Sequence, residues 1–508
     1  MQSETLTPIV IHGAVNGELG TGTELPEAPP LQPPRTAIDR PHAPVESPLG
    51  PVPRVLSLDA LRGVLMLAMN LSFAIPLSRL FADWMFHMQY PPPGDFVDRP
   101  GLTWPDVVFP AFIFTMSAAL PIAMQARLRA RVSQPEIVWH SLQRAALLMV
   151  LALIIGHVNP DFTGDYTKRG NILAIVGFFL SAALFIRLPA SQIVRAQWLR
   201  YAAWLGVLAL FVLAPPIYGK TFSLERRDTI LSALAFAAVA GCVIWLFTRS
   251  RPDIRFALVA VIAALKLGSQ QLGWLHDLYA FTPAPWLYQP WYLELLIVVI
   301  AGTIAGDLLV RFAASKEAIS FSGARVAALV AVCAAFIPVL CVGLYLRELR
   351  ATALATLALI ALGALLSARP KTESDRTISL LFRWTALWLV FGLLTEPLEG
   401  GIRKDPQTLS YLAISPGLSG AALIVFIALI DIFPRTRGAL GFLTDIGRNP
   451  LLAYVFFTLF LNHVLYYVGI GDWLTDTWQR TLMRAIAIVA LVGYTVWISS
   501  RKHLYWRA

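Results

Sequence analysis

From residue 57 onward, apolar runs of about 20 residues with few or no charges recur along this chain, and no other feature restricts its fold so severely. In hydrocarbon, such a run must satisfy its own backbone N–H and C=O groups, which leaves helices or a closed barrel. Barrel strands alternate apolar and polar residues; these runs do not, so a barrel is excluded. Composition agrees, at 57% hydrophobic against 14% charged residues, with a mean hydropathy of +0.63. That is more apolar surface than a soluble domain can hide. The expected class is an all-α polytopic integral membrane protein in contact with the lipid bilayer.

The runs divide into about fourteen spans, near residues 57–81, 105–125, 137–157, 171–188, 198–216, 229–248, 254–273, 291–312, 324–346, 350–367, 379–396, 416–433, 449–468 and 481–499. Threading them sorts the loops by charge. Arg127, Arg129 and Arg131, Arg195 and Arg200, Arg249, Arg251 and Arg255, Arg311 and Lys316, Arg369, Lys371 and Arg376, Arg435 and Arg437, and Arg501, Lys502 and Arg507 all fall on one side. By the positive-inside rule that side is cytoplasmic, and both termini are expected there. Trp84, Trp104, Trp274, Trp286 and Trp291 mark the opposite interface. Residues 1–53, rich in Pro, Gly, Glu and Thr, read as a disordered cytoplasmic tail, and residues 54–508 as one multi-span domain. The net charge of +10 belongs to this loop asymmetry rather than to a nucleic-acid surface. Cys242, Cys333 and Cys341 lie inside apolar runs and read as packing residues, and the histidines lack metal-ligand spacing, so no metal is expected.

Ionisable groups inside or beside a span are the natural functional candidates. His87, in the first outer loop, is placed to act as a base toward a hydroxyl or amine, or as a plain interfacial histidine. Asp106 follows Pro105 at the start of the second span, where a helix cap and an orienting partner for an imidazole both fit. His157, at the outer end of the third span, is a second candidate base, and His463 suits a bond to another helix. Lys266 and Glu294 are spaced to pair between spans seven and eight, and Asp59 and Arg62 at i, i+3 on one helix face. Arg62, Arg448 and Asn449 gather at the cytoplasmic side, where cations and a helix start suit a phosphorylated ligand.

S-L-D-A-L-R-G at residues 57–63, followed after one span by G-L-T-W-P-D-V-V-F-P-A-F-I-F at 101–114, resembles the opening of the heparan-alpha-glucosaminide N-acetyltransferase family and its bacterial relatives, within the wider group of transmembrane acyltransferases. G-R-N-P-L-L-A-Y at 447–454 is similar to that family's late segment. The resemblance implies transmembrane helices packed around a central tunnel. It also implies acetyl-CoA as acyl donor from the cytoplasm, a sugar or glycan acceptor on the far side, and a place in a bacterial inner membrane. The family's catalytic histidine lies in the first outer loop, shortly before its G-[LF]-T-x-x-D motif. Here Phe96, Val97, Asp98, Arg99 and Pro100 precede Gly101, and His87 is the histidine of that loop. Phe73 stands where the family has an asparagine late in the first span, with Asn70 about a turn earlier.

The expected function is therefore acyl transfer, with catalysis by His87, Asp106 or His157 and donor binding by Arg62, Arg448 and Asn449. The rival is a transporter or flippase of a glycan or lipid-linked substrate, for which the many spans and the intramembrane Lys266, Glu294 and Asp307 are equally suited. The acceptor, the acyl chain and the oligomeric state, a homodimer among the options, are left open by the sequence.

Overall fold

The computed structural model describes residues 55–187, 193–315 and 317–507. The expected tail at 1–53, together with Arg54 and Lys316, lies outside them. The described chain, within the unit Ser47–Ala508, is mostly helical, with a single two-stranded pair for its sheet. Its long helices are α1 (Leu56–Ala74), α2 (Trp104–Arg129), α3 (Gln134–Val158), α4 (Lys168–Phe185), α5 (Ile193–Ile217), α6 (Thr229–Thr248) and α7 (Pro252–Gly268). After a connecting stretch come α8 (Pro290–Ala314), α9 (Gly323–Tyr345), α10 (Leu349–Leu366) and α11 (Glu373–Thr395). Then follow α12 (Leu409–Ile432), α13 (Pro450–Tyr467) and α14 (Trp478–Arg501).

Among the described residues, thirteen helices are long and apolar enough to cross a membrane. The fourteenth expected span, α7, has 17 residues and is shorter than its neighbours. Ion pairs hold it to α8 at two levels: Arg255 to Asp307 at 2.7 Å near its start, and Lys266 to Glu294 at 3.0 Å near its end. These pairs tie α7 to α8 near both ends, and its buried residues are Arg255, Ile262, Ala263 and Lys266, so two of the four are the cations of those pairs.

The chain belongs to the all-α polytopic membrane class. α8 and α12 form its centre, each with 78% of its most apolar stretch buried inside the protein. α2 and α6 pack on α8, α11 on α12, and α3 on α6. α5 and α10 lie at the periphery, with 28% and 17% buried. α12 and α13 each contain a π-helical turn, Ile427–Ile432 and Phe456–Leu461, which frees backbone carbonyls from the regular ladder.

One element departs from expectation. Residues after 433, read as a basic loop, form the helix Pro434–Gly447 against α1. Leu443 and Ile446, three apart, are its buried hydrophobic side chains, a spacing that marks one face of a short amphipathic helix. The contact depends on two glycines, the last residue of S-L-D-A-L-R-G and the first of G-R-N-P-L-L-A-Y. A Cβ on Gly63 would run into the Leu443 carbonyl, and one on Gly447 into the Asp59 carbonyl, so only glycine lets these backbones touch.

Candidate active site

The loop between α1 and α2 is held rigidly. Arg99 bonds the Asp83 carboxylate at 3.1 Å and donates to the Met88 carbonyl at 2.9 Å. Buried Gln89 donates to the Arg99 carbonyl at 2.9 Å and accepts from Lys404 N–H at 3.3 Å. Gly101 N–H reaches the Ile402 carbonyl at 2.7 Å, and Arg403 pairs with Asp98 at 3.0 Å. This second loop, between α11 and α12, therefore clamps the first.

Inside the clamp, His87 Nδ1 stands 2.8 Å from Asp106 Oδ1. The carboxylate is fully buried, and the imidazole is 31% exposed. An ionised carboxylate only accepts, so Nδ1 carries the hydrogen and Nε2 is left as the basic nitrogen of the neutral ring. Asp106 Oδ2 meanwhile accepts from Thr103 N–H at 3.0 Å and Met88 N–H at 3.2 Å, with the Thr103 hydroxyl 2.8 Å away. Thr103 and Asp106 form a capping box at the start of α2. The two roles considered for Asp106 are both present, one on each oxygen. Tyr411 of α12 adds a bond from its hydroxyl to the Asp106 carbonyl at 2.8 Å.

Three cavities adjoin one another, two of them at this pair. His87 lines two of them. One, of about 560 Å³, carries Glu294, Gln289, Trp291, Lys404, Asp405 and Tyr411 on its walls. The other, of about 520 Å³, is bordered by Asp161, Asn159, Asp228 and Thr458. A third, of about 470 Å³, is lined by Arg62, Arg127, Arg144, Arg187, Arg448 and Arg507. Ile230 touches all three, Met69 joins the first to the arginine cavity, and Tyr454 joins the second to it. The Tyr454 hydroxyl donates to buried Asp228 at 2.6 Å, whose other oxygen caps α6 at Leu231 N–H, 2.8 Å.

The arginine cavity has a large excess of positive charge. Arg62 pairs with Asp59 at 3.2 Å, and Arg448 with Asp445 at 3.1 Å. Arg144 stands within the fields of Arg127, Arg187 and Arg507. Burial, and then the charges of Arg507 and Arg200, hold the Arg187 pKa below its ordinary value. Like charges collected this way favour a polyanionic occupant.

The other candidates fall elsewhere. His157 is buried away from these cavities, stacked on Phe222 at 4.9 Å. Its Nδ1 bonds the Leu153 carbonyl at 2.9 Å, and its Nε2 accepts from Ser223 N–H at 3.3 Å, which makes it a structural histidine. His463 bridges helices, meeting Asn171 Oδ1 and the Thr458 carbonyl at 2.9 Å each. Asn449 does not line the arginine cavity with its expected partners. It is fully buried and its amide binds backbone: Nδ2 donates to the Leu504 carbonyl at 2.9 Å, and Oδ1 accepts from Trp506 N–H at 3.0 Å. Lys266 meets Glu399 as well as Glu294, at 3.4 Å, and Tyr279 bonds Glu294 from outside the spans.

Sequence reasoning missed Tyr411, the Tyr454–Asp228 pair, and Arg187 as part of the cation cluster. Arg187 lay hidden at the end of an apolar run, and only the pairing of β1 (Ile186–Arg187) with β2 (Tyr505–Trp506) brings it beside Arg507. No curated protein matches the chain. A family model described as a domain of unknown function (DUF5009) matches residues 54–309, which include Arg62, His87, Asp106 and Asp228. That match takes in half of the chain, and the protein is a member of the DUF5009 family.

Proposed function

We propose that this protein is a transmembrane acyltransferase of a bacterial inner membrane. In this reading it moves an acyl group, acetyl in the simplest case, from acyl-CoA on the cytoplasmic side to a hydroxyl or amine of a sugar or glycan on the other side. The observation that supports this most is the adjacency of two unlike cavities. A cluster of six arginines suits the phosphates of a CoA thioester, and a buried-Asp-oriented histidine suits proton removal from an acceptor. Met69 and Ile230 are shared between them, so the reacting ends of donor and acceptor would meet there.

In this scheme the acceptor oxygen or nitrogen attacks the thioester carbonyl carbon, and its proton passes to His87 Nε2. Asp106 holds the ring in the productive tautomer and stabilises the imidazolium that forms. The new C–O or C–N bond forms as the C–S bond breaks, and the imidazolium returns the proton to the departing thiolate, leaving His87 neutral. The polar wall of the larger cavity, with Glu294, Gln289 and Lys404 beside Trp291, suits a hydroxyl-rich acceptor.

The test uses the purified protein in sealed vesicles, with acetyl-labelled acetyl-CoA on the arginine side and amino sugars or neutral glycans on the other. Appearance of label on the acceptor is the expected result. Movement of glycan across the membrane with no label transferred would replace the reading with the transporter.

A further inference from the structure

We infer that Asn449 is a positioning residue that builds the polyanion site by clamping the segment 504–507, which carries the second strand of the β1–β2 pair, over the arginine cavity. This rests on the reading of that cavity as the donor's phosphate site. The segment is tied at every step. Ser499 Oγ donates to the Leu504 carbonyl at 2.7 Å, and Asn449 Nδ2 donates to the same carbonyl at 2.9 Å. Asn449 Oδ1 holds Trp506 N–H at 3.0 Å, and Arg507 N–H reaches the Phe185 carbonyl at 3.0 Å. Trp506 is buried and stacks on Phe178 at 5.5 Å.

The register of the pair, Ile186 opposite Trp506 and Arg187 opposite Tyr505, brings Arg187 and Arg507 to the same cavity wall. Each raises the positive potential felt by the other and by Arg144. The clamp therefore holds together strands whose arginines repel, and an anion between them relieves that repulsion. Asn449 can do this without touching the anion, because both ends of its amide are committed to backbone. Donor binding and docking of the segment are thereby coupled: each strengthens the other.

The experiment measures binding of coenzyme A, and separately of inorganic pyrophosphate, to the full-length protein in detergent. Amide hydrogen exchange of the 504–507 peptide is followed in parallel. In Asn449→Ala, exchange of that peptide should quicken and coenzyme A should bind roughly tenfold more weakly, as expected for two lost hydrogen bonds. Ser499→Ala, a milder loss that leaves Asn449 in place, should shift both readouts the same way by less. Arg507→Gln should weaken binding without quickening exchange. Faster exchange in Asn449→Ala with wild-type affinity overturns the inference. If wild-type protein ignores coenzyme A but binds pyrophosphate, the donor reading fails, and the clamp stands or falls on whether Asn449→Ala loses pyrophosphate. If neither anion binds wild-type protein, both are overturned.

Discussion

His87 and Asp106 are joined by a 2.8 Å bond that uses one carboxylate oxygen, while the other oxygen of the same carboxylate caps the helix from which Asp106 projects. Orientation of the imidazole and the start of α2 thus depend on one side chain. His87→Asn, whose amide nitrogen can take the place of Nδ1 beside Asp106, should lower acyl transfer by roughly 10²–10⁴-fold with little change in melting temperature. His87→Ala should also lose stability, by stranding the buried Asp106 Oδ1. Asp106→Asn should lower transfer and, by weakening the cap, also cost about 1 kcal/mol of stability. Transfer assays and thermal unfolding on the same preparations separate the two. Wild-type activity in His87→Ala would remove the histidine from the mechanism.

On the arginine side, charge works against the empty protein and for the filled one. Arg127→Gln should raise the KM for the donor roughly tenfold through loss of a charge-assisted contact. The same change relieves the repulsion on Arg144, so the ligand-free protein should melt no lower than wild type. A lower melting point with unchanged KM would make Arg127 a structural cation.

Lys266 stands between two carboxylates, Glu294 at 3.0 Å and Glu399 at 3.4 Å, with its side chain 9% exposed. Lys266→Met leaves both acids without their cation and should destabilise the protein by about 3 kcal/mol, read as a lowered thermal midpoint in detergent. Adding Glu294→Gln to that variant should recover part of the loss, since it removes one of the stranded charges.

Asp228, just before α6, carries a pH dependence of the opposite sign to an ordinary paired acid. Burial raises its pKa despite the bonds from the Tyr454 hydroxyl and the α6 backbone. An acid with a raised folded pKa loses stability as pH climbs from its unfolded to its folded value, and the cost persists above that. Asp228→Asn keeps an acceptor for Tyr454 and removes the charge. Its melting temperature at pH 8 should equal or exceed that of wild type. The gap should close as pH falls from the folded pKa toward the ordinary carboxylate range. A variant that melts lower at pH 8 and recovers in acid would contradict this.

The helices were legible because hydrophobicity over a span length is a strong local signal: α6 occupies the expected residues 229–248. Pairs close in sequence or adjacent in the threading were legible too, as with Asp59–Arg62 and Lys266–Glu294. In the candidate site, the pairing of His87 with Asp106 was legible, because residue type and the start of a helix limit what each can bond. Asn449 was misjudged, since nothing local says that its amide meets a backbone 55 residues further on. His157 was misjudged for a related reason. Its partners, Phe222 and Ser223, come from the connection after α5, and a sequence pattern does not say which loop folds back onto a helix end. The Pro434–Gly447 helix carried a faint signal, two apolar positions three apart on one face, masked by its arginines.

The contact between Gly63 and Gly447 has a metric consequence. Each glycine is the immediate chain neighbour of an arginine of the cation cavity, Arg62 on one side and Arg448 on the other. Two backbones pressed together act as a fixed gauge, so the separation of the main-chain points from which these two arginines project is set by backbone contact. A single methyl at either glycine would reset that gauge, and with it the width of anion the cavity accepts.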